Sequence, residues 1–582
     1  MKSPLFLIIT FSSIPYLSFA QEIALEKISI KKSLSERPAQ GLDYFFQKDI
    51  EDRPYFSLEE IIDYSSSVDL RKRSIFGLQQ DVSLRGSTFE DTSISLQGIE
   101  INDPQTGHFN LEIPLTSADL EQIDIFKNSQ RINFIPKEPK SEGFLLKTSF
   151  GQHALWEQLL SCNFPLGKAK NRISCEHKIS KGGRQDTDFE IYNFSLHSLW
   201  EDKNKDKEIE FLFGSTKKDF GADAFYVASR PHEEEHINQR FFSLRAGLKE
   251  ESFNLNNTFY LRRHGDKYIL DRHNPAFYTN YHTTYVYGLK SKLEFYNDLF
   301  LAFDIKRETI DSTNLNKHYR LRKGLSFGVK DREIGNFLFN FSGGLDYYEE
   351  WEYLENIHLG LGYLLKDYLK LGFSFDRVWR APSFTELYYS DISYNIGNSN
   401  LDIQKSNNFE WGMDYSPNDS FIAGLAFFFR DQSGTIDWIK DVSTDAWQAK
   451  NVGDLDVYGL DLYSRVNFKD NILRQISLGY TYLDLNKDNP YNFSKYVFDY
   501  NCHKIVSGLA FNLKGVSANL ISNFSKPVDR KRYITFDLKV KKEVSDFTLA
   551  LEGINIFNED YQEMRDIEGS ARAIKMSIAY SF

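Results

Sequence analysis

Met576, Ile578, Tyr580 and Phe582 fall on one side of an extended strand, and Lys575, Ser577, Ala579 and Ser581 fall on the other. Successive side chains of a strand point to opposite faces, so this is one greasy face backed by one polar face. The same period of two recurs upstream. Leu369, Leu371, Phe373 and Phe375 alternate with Lys370, Gly372 and Ser374. Ile476, Leu478, Tyr480 and Tyr482 alternate with Ser477, Gly479 and Thr481. Ile534, Phe536, Leu538 and Val540 alternate with Thr535, Asp537 and Lys539. From Gly143 onward such strands follow one another to the C-terminus.

Before residue 141 the pattern is mixed. Ser57 and Glu60 form a capping-box signature ahead of Leu58, Ile61 and Ile62, which predicts a short helix up to Tyr64. Residues Asp81–Gly86 and Thr92–Gly98 predict strands with turns between them. This is a small α+β unit.

Connection lengths order the C-terminal region. Short polar turns are predicted at Pro165–Asn171 and Asp202–Lys207, and long connections at about Ser215–Asn238 and Arg262–Thr283. Short connections on one side and long ones on the other describe an outer-membrane barrel. In lipid every backbone polar group needs a partner within the protein, so the sheet must close. At about 20 residues per strand with its connection, the region supplies roughly 22 strands, the size of plugged transporters. The predicted class is therefore membrane all-β: an antiparallel outer-membrane β-barrel of about 22 strands with a small N-terminal α+β plug in its lumen. Ile578, Tyr580 and Phe582 belong to the strand that closes it.

Composition agrees with this. Aromatics are 15% of 582 residues, with 33 Tyr and 49 Phe, yet mean hydropathy is −0.46. A large aromatic load in a hydrophilic chain suits lipid-facing strands with aromatic girdles. A formal net charge of −12 argues against nucleic acid as a partner, which requires a basic stripe. Lys2, the apolar run Leu5–Phe19 and the small-residue site Ser18-Phe19-Ala20 predict a secretory signal peptide over 1–20. The expected organisation is then a tether with a partner-binding segment over 21–40, a plug over 41–140 and the barrel over 141–582, placed in the outer membrane of a bacterial cell.

Several motifs resemble one family. Asp81-Val82-Ser83-Leu84-Arg85-Gly86, then Gln97-Gly98-Ile99-Glu100-Ile101-Asn102-Asp103-Pro104, resemble the plug of TonB-dependent outer-membrane receptors. Gln105–Leu111 continues in the manner of the vitamin B12 (cobalamin) receptor-like branch. Arg380–Tyr388 with Gly397–Leu401 is similar to a barrel motif of that family, and Gly553–Tyr561 to another near the end. The resemblance implies Arg85, Gly86, Gly98, Asn102, Asp103 and Pro104 as plug-motif residues. It implies import of a scarce nutrient, cobalamin or another corrinoid first and a ferric siderophore second. The energy would come from TonB and its inner-membrane complex. The segment Leu25-Glu26-Lys27-Ile28-Ser29-Ile30 is the candidate TonB box, since it alternates and could join TonB as an added strand. Outer-membrane lipid and the barrel-assembly machinery are the other expected partners. One departure leaves an alternative open. The family's Gly-rich stretch before the last plug strand is replaced by Asn128–Pro136, so a passive or structural barrel with a degenerate plug is a second reading.

Other chemistry is sparse. His232-Glu233-Glu234-Glu235-His236 matches the zinc-protease pattern HExxH, but no amphipathic helix surrounds it. An outer-membrane metallohydrolase is the remote third reading; no enzyme activity, catalytic residue, metal site or cofactor is predicted. Aromatic residues in the two long connections, Phe225, Tyr226, Tyr268, Phe277, Tyr278 and Tyr281, are candidates for a ligand-binding surface. Cys162 and Cys175 lie symmetrically about the Pro165–Asn171 turn and could face each other across a hairpin.

Overall fold

The computed structural model describes residues 42–582 apart from 75, 224, 227–229, 296–297, 392–393, 470, 488–492 and 566. The expected signal peptide and the candidate TonB box Leu25–Ile30 lie outside the described residues.

Among these, 22 strands form one closed antiparallel barrel, from Gly143–Gly151 to Ala573–Ser581. Closure comes from pairing of the last strand with the first, in a register that sets Tyr580 opposite Leu146 and Met576 opposite Phe150. The Phe144 and Phe582 backbones exchange hydrogen bonds of 3.1 and 3.2 Å, so no edge is left unpaired at the seam. The alternation decides which way each residue faces. Met576, Ile578, Phe427 and Phe327 lie on the outer wall, where lipid would cover them, whereas Lys575 and Ser577 are buried in the lumen. Among the described residues no helix is long and apolar enough to cross a membrane.

Seven short strands form the plug: β1 Leu42–Phe46, β2 Val68–Lys72, β3 Gln80–Leu84, β4 Ser93–Leu96, β5 Ile99–Glu100, β6 Leu120–Phe126 and β7 Arg131–Pro136. Five make a mixed sheet in the order β1-β6-β7-β4-β5, and β2 pairs with β3. Their core is aliphatic, with Ile61, Ile62, Leu84, Ile94, Leu96, Ile123 and Ile132 buried against one another. The wall comes so close that a Cβ on Gly214 would sit 2.1 Å from the Pro114 carbonyl oxygen. β7 survives the loss of the family's glycines, with Gln130 adopting φ +54° at the turn before it. The expected helix after Ser57 is a 3-10 helix, Leu58–Tyr64. Its capping signature is used differently: Glu60 accepts from Phe56 N, one residue before the cap, at 2.8 Å, while Ser57 Oγ accepts from Gln80.

Three expectations about connections need correction. The turn near Pro165 is a tight hairpin across 167–168, with Leu166 paired to Ala169. That register sets Cys162 opposite Ile173 and Cys175 opposite Leu160, and all three cysteines are free. The predicted connections at Ser215–Asn238 and Arg262–Thr283 are shorter than expected. Strands Lys207–Gly221 and Glu234–Lys249 leave only 222–233, and strands Phe253–Ile269 and Thr279–Phe295 leave only 270–278. These strands of 15 to 17 residues exceed the roughly 9–11 that a tilted strand needs to cross a bilayer, and polar alternation beyond that length looks like loop in a sequence. Strands from the connections 381–403 and 434–454 pair with one another and with Phe493–Ser494 in a five-stranded outer sheet.

Candidate functional site

The plug-motif residues are spread through the plug–barrel contact. Arg85 (φ +48°) and Gly86 (φ +70°) turn the chain out of β3 through the left-handed region, which favours glycine at one position and strains arginine at the other. Arg85 gains from this by reaching two lumen carboxylates, Asp461 and Glu410, each at 2.6 Å. Gly98 turns β4 into β5, and its carbonyl accepts from Lys290 of the wall at 2.8 Å. Asn102 ties the same hairpin together, accepting from Ile94 N and donating to the Thr92 carbonyl. Asp103 is buried against Arg262 at 2.5 Å and accepts from Thr284. Burial and the Arg262 guanidinium act oppositely on the Asp103 carboxyl, and the balance lies below its ordinary value.

The barrel motif answers the plug motif. Ser383 and Glu386 form a capping box on the short helix Phe384–Tyr388, so the helix N-terminus is fixed in place. Its first two N–H groups donate to the Pro104 and Gln105 carbonyls of the plug, at 2.8 and 3.0 Å. Arg380 bridges Glu386 and the plug's Asp91. The two sequence motifs are thus halves of one clasp.

Above the plug, toward the long connections, lies a cavity of about 570 Å³. Plug residues Arg73, Asp81 and His108 form its floor. Asp81 is paired with Arg73 at 2.7 Å and His108 at 2.7 Å, and its carboxyl is held far below the usual range. Burial pushes the His108 imidazole down in spite of Asp81, and the ring stacks on Phe89 at 4.3 Å. The walls are aromatic: Tyr226, Tyr268, Phe277, Tyr278, Trp438 and Trp447.

One cation stands out. Lys495 lines the cavity with its ammonium 6.0 Å from the Trp447 ring centre and 5.1 Å from that of Tyr496. It makes no ion pair among the described residues. Burial, with Arg73 nearby, lowers its pKa to about 8, so it is still charged at neutral pH. Asp437 holds the segment in place by accepting from Tyr496 N and Val497 N. Burial pushes the Asp437 carboxyl up to about 6. A second cavity of about 320 Å³ runs along the wall beside β4 and β5. Several of its charged groups are paired with each other, as in Lys306–Glu100 and Arg322–Asp304.

The expected aromatic surface is only partly assembled. Tyr226, Tyr268, Phe277 and Tyr278 line the larger cavity. Phe225 reaches the lining but is buried in a packing cluster with Phe220 and Ile237. Tyr281 is exposed on the outer face of its strand, because residue 280 points inward and period two sends 281 out. Trp438, Trp447, Tyr496 and Lys495 were missed. They sit on sequence-distant connections that pair only in the outer sheet. A local signal existed in the alternation around Trp438, but nothing in it named Lys495.

The HExxH residues do not form a metalloprotease site. The chain enters a strand at Glu234, so the helix on which His232 and His236 would share a face is absent. His236 pairs with Asp219 at 2.7 Å and His232 with Asp186 at 2.6 Å. Glu233 is buried and accepts from Tyr268 and Tyr226 N.

Residues 170–556 match the family model described as TonB dependent receptor-like, beta-barrel. Residues 38–138 match the TonB-dependent Receptor Plug Domain. No curated protein sequence matches the chain. Among solved structures, the siderophore receptor PirA from Pseudomonas aeruginosa superposes with TM-score 0.75 at 16% identity, covering 94% of this chain and 100% of that one. A variant of the ferric enterobactin receptor PfeA from Pseudomonas aeruginosa gives 0.76 at 15%, covering 95% and 100%. The FrpB iron transporter from Neisseria meningitidis gives 0.76 at 12%, covering 94% and 99%. At such identities the superpositions speak for the fold alone. With both the barrel and the plug matched in order, this chain belongs to the TonB-dependent receptors, a family of plugged β-barrels of the bacterial outer membrane.

Proposed function

We propose that this receptor imports an anionic, ring-bearing ferric siderophore into the periplasm, driven by TonB acting on residues 25–30. The observation that carries the reading is Lys495: a mostly buried ammonium, held between aromatic rings, with no protein anion as partner among the described residues. A desolvated cation beside ring faces suits a ligand that is both negative and aromatic. The iron and siderophore receptors among the solved structures of like fold support the same class. The resemblance of Gln105–Leu111 to the vitamin B12 receptor-like branch keeps cobalamin as the second reading. A corrinoid carries little net charge, however, and would not use Lys495 as an anion does. Tyr226, Tyr268, Phe277 and Tyr278 are assigned here as ligand contacts and Asp103–Gln105 as the clasp that reports occupancy to the plug. Lipid and the barrel-assembly machinery remain the proposed partners of the outer wall and the closing strand.

Trp438 and Trp447 supply the assay. Ferric enterobactin and cyanocobalamin are titrated into the purified receptor while tryptophan fluorescence is followed. Saturable quenching by the ferric chelate at micromolar levels or below is expected; quenching by cyanocobalamin alone would reverse the assignment, and neither would remove it. Lys495→Ala is expected to weaken chelate binding by about 10-fold or more, since a hydrogen bond or ion pair to a charged group contributes ~1.5–3 kcal/mol. The sign with pH follows from the lysine. Its charged form binds the anion, so the lysine's contribution to affinity is full below pH 8 and is lost as pH rises through about 8. In Lys495→Ala that fall should flatten relative to the parent; an unchanged profile would show that Lys495 does not touch the ligand.

A further inference from the structure

The geometry points to a binding site for one divalent transition-metal cation of the zinc type, made by Asp186, His232 and His273, which ties three connections together beside the cavity. Each residue offers one ligand atom, and these atoms lie within 4.8 Å of one another. They come from three separate connections, 181–188, 222–233 and 270–278. His232 Nδ1 is 2.6 Å from Asp186 Oδ2, and the His232 and His273 rings meet edge-on with centres 4.8 Å apart.

Two imidazoles and one carboxylate are a borderline-soft donor set. It suits zinc and its neighbours better than calcium or magnesium, which take oxygen ligands. Ligand atoms ~2.1 Å from a tetrahedral zinc stand ~3.4 Å from each other. Asp186 and His232 would therefore separate by under an ångström to admit the ion, and His273 would close in. The fourth position faces solvent, because His273 is exposed. The surroundings favour a cation. Asp186, Asp188, Asp223 and Glu234 bring four carboxylates to this corner, against two guanidiniums, Arg184 and Arg272. Arg272 spends its closest contact on Asp188, at 2.6 Å, and reaches only the far oxygen of Asp186, at 3.5 Å. This leaves Asp186 Oδ2 for the metal while orienting the carboxylate from behind.

The bland alternative is a simple Asp–His hydrogen bond with a neighbouring ring. It accounts for Asp186 and His232 but gives no reason for the third donor to arrive from another connection. The sequence pattern HExxH had joined His232 to His236. The fold separates that pair, sends His236 to Asp219 and gives His232 two different companions. The consequence reaches the cavity, because 222–233 carries Tyr226 and 270–278 carries Phe277 and Tyr278. An ion here would stiffen one wall of the cavity, whatever ligand the receptor imports.

The test uses the mature receptor in detergent, freed of any affinity tag and treated with a chelator. Zinc chloride is titrated by calorimetry, and bound zinc is counted by elemental analysis after gel filtration. One zinc per chain is expected, at about micromolar affinity or tighter. His273→Ala, at an exposed position that should not disturb folding, is expected to lose at least 10-fold, and His236→Ala to lose nothing. Backbone hydrogen exchange over 181–188, 222–233 and 270–278 should slow on adding zinc to the parent and stay fast in His273→Ala. Absence of saturable binding would overturn the site. So would equal affinity in the parent and His273→Ala, or a loss in His236→Ala as large as in His273→Ala.

Discussion

Arg85→Ala is expected to destabilise the seated plug by about 3–5 kcal/mol, the usual result of removing one partner from a buried ion pair. The arginine leaves the plug through a strained turn at φ +48° and ends between Asp461 and Glu410 of the wall, with its guanidinium 4.0 Å above the Phe428 ring. All three side chains are almost fully shielded from water. Without the arginine, Glu410 loses its close cation and Asp461 keeps only Lys127 at 3.5 Å. Two carboxylates in a low-dielectric lumen then have one ammonium between them. The measurement is protease sensitivity of the plug against urea, in a barrel that stays folded by its heat-modifiable mobility in gels. A midpoint shift equivalent to under about 1 kcal/mol would show that the triad is not what seats the plug. Adding Glu410→Met and Asp461→Asn to the alanine variant should recover much of the loss. The cost lies in the stranded charges rather than in any special strength of the bond.

The second large effect concerns energy supply. Deleting residues 25–30 is expected to reduce uptake of iron-labelled enterobactin by cells about 100-fold or more, to the level without receptor, while its affinity for the purified protein stays within about twofold. Partner capture by strand addition needs an alternating segment with backbone N–H groups, and the alternation of Leu25–Ile30 makes it the proposed one. The cavity is built from residues between 71 and 567, so its affinity does not depend on that segment. Ile28→Pro, which removes one donor from the strand, should reproduce most of the loss. Uptake that persists in both variants would favour the passive barrel. Loss of binding together with uptake would instead mean that the N-terminal segment takes part in seating the plug.

The match between sequence and structure is uneven, and the residues show why. The barrel was legible because its signal is local and repeated. Residues such as Leu371, Ile476 and Met576 must meet lipid while their neighbours meet the lumen, and period two records that demand strand after strand. Strand ends were less legible. Above the membrane both faces of a strand are wet, so Glu234–His236 and Tyr281–Thr283 read as connection although they continue the ladder. The clasp was visible only as two unrelated motifs, Asp103-Pro104-Gln105 and Ser383–Glu386, because a hydrogen bond between residues almost 300 positions apart leaves no trace in either segment. Lys495 and the cluster of Asp186, His232 and His273 left less still, since a lysine or a histidine in a connection carries no sign of its neighbours.

By itself, then, the sequence determined what every residue along a strand must face, and from that the closed, half-greasy cylinder, its approximate strand number and the presence of a separate plug segment ahead of it. The tertiary structure alone decided which charges meet. It turned Arg85 toward Glu410 rather than solvent, left Lys495 among rings with no ion pair among the described residues, and parted His232 from His236. The reason is that hydrophobic alternation is enforced residue by residue by the surrounding medium, whereas a polar contact depends on register and on loops brought together across hundreds of residues, and those are fixed only when the barrel closes around its plug.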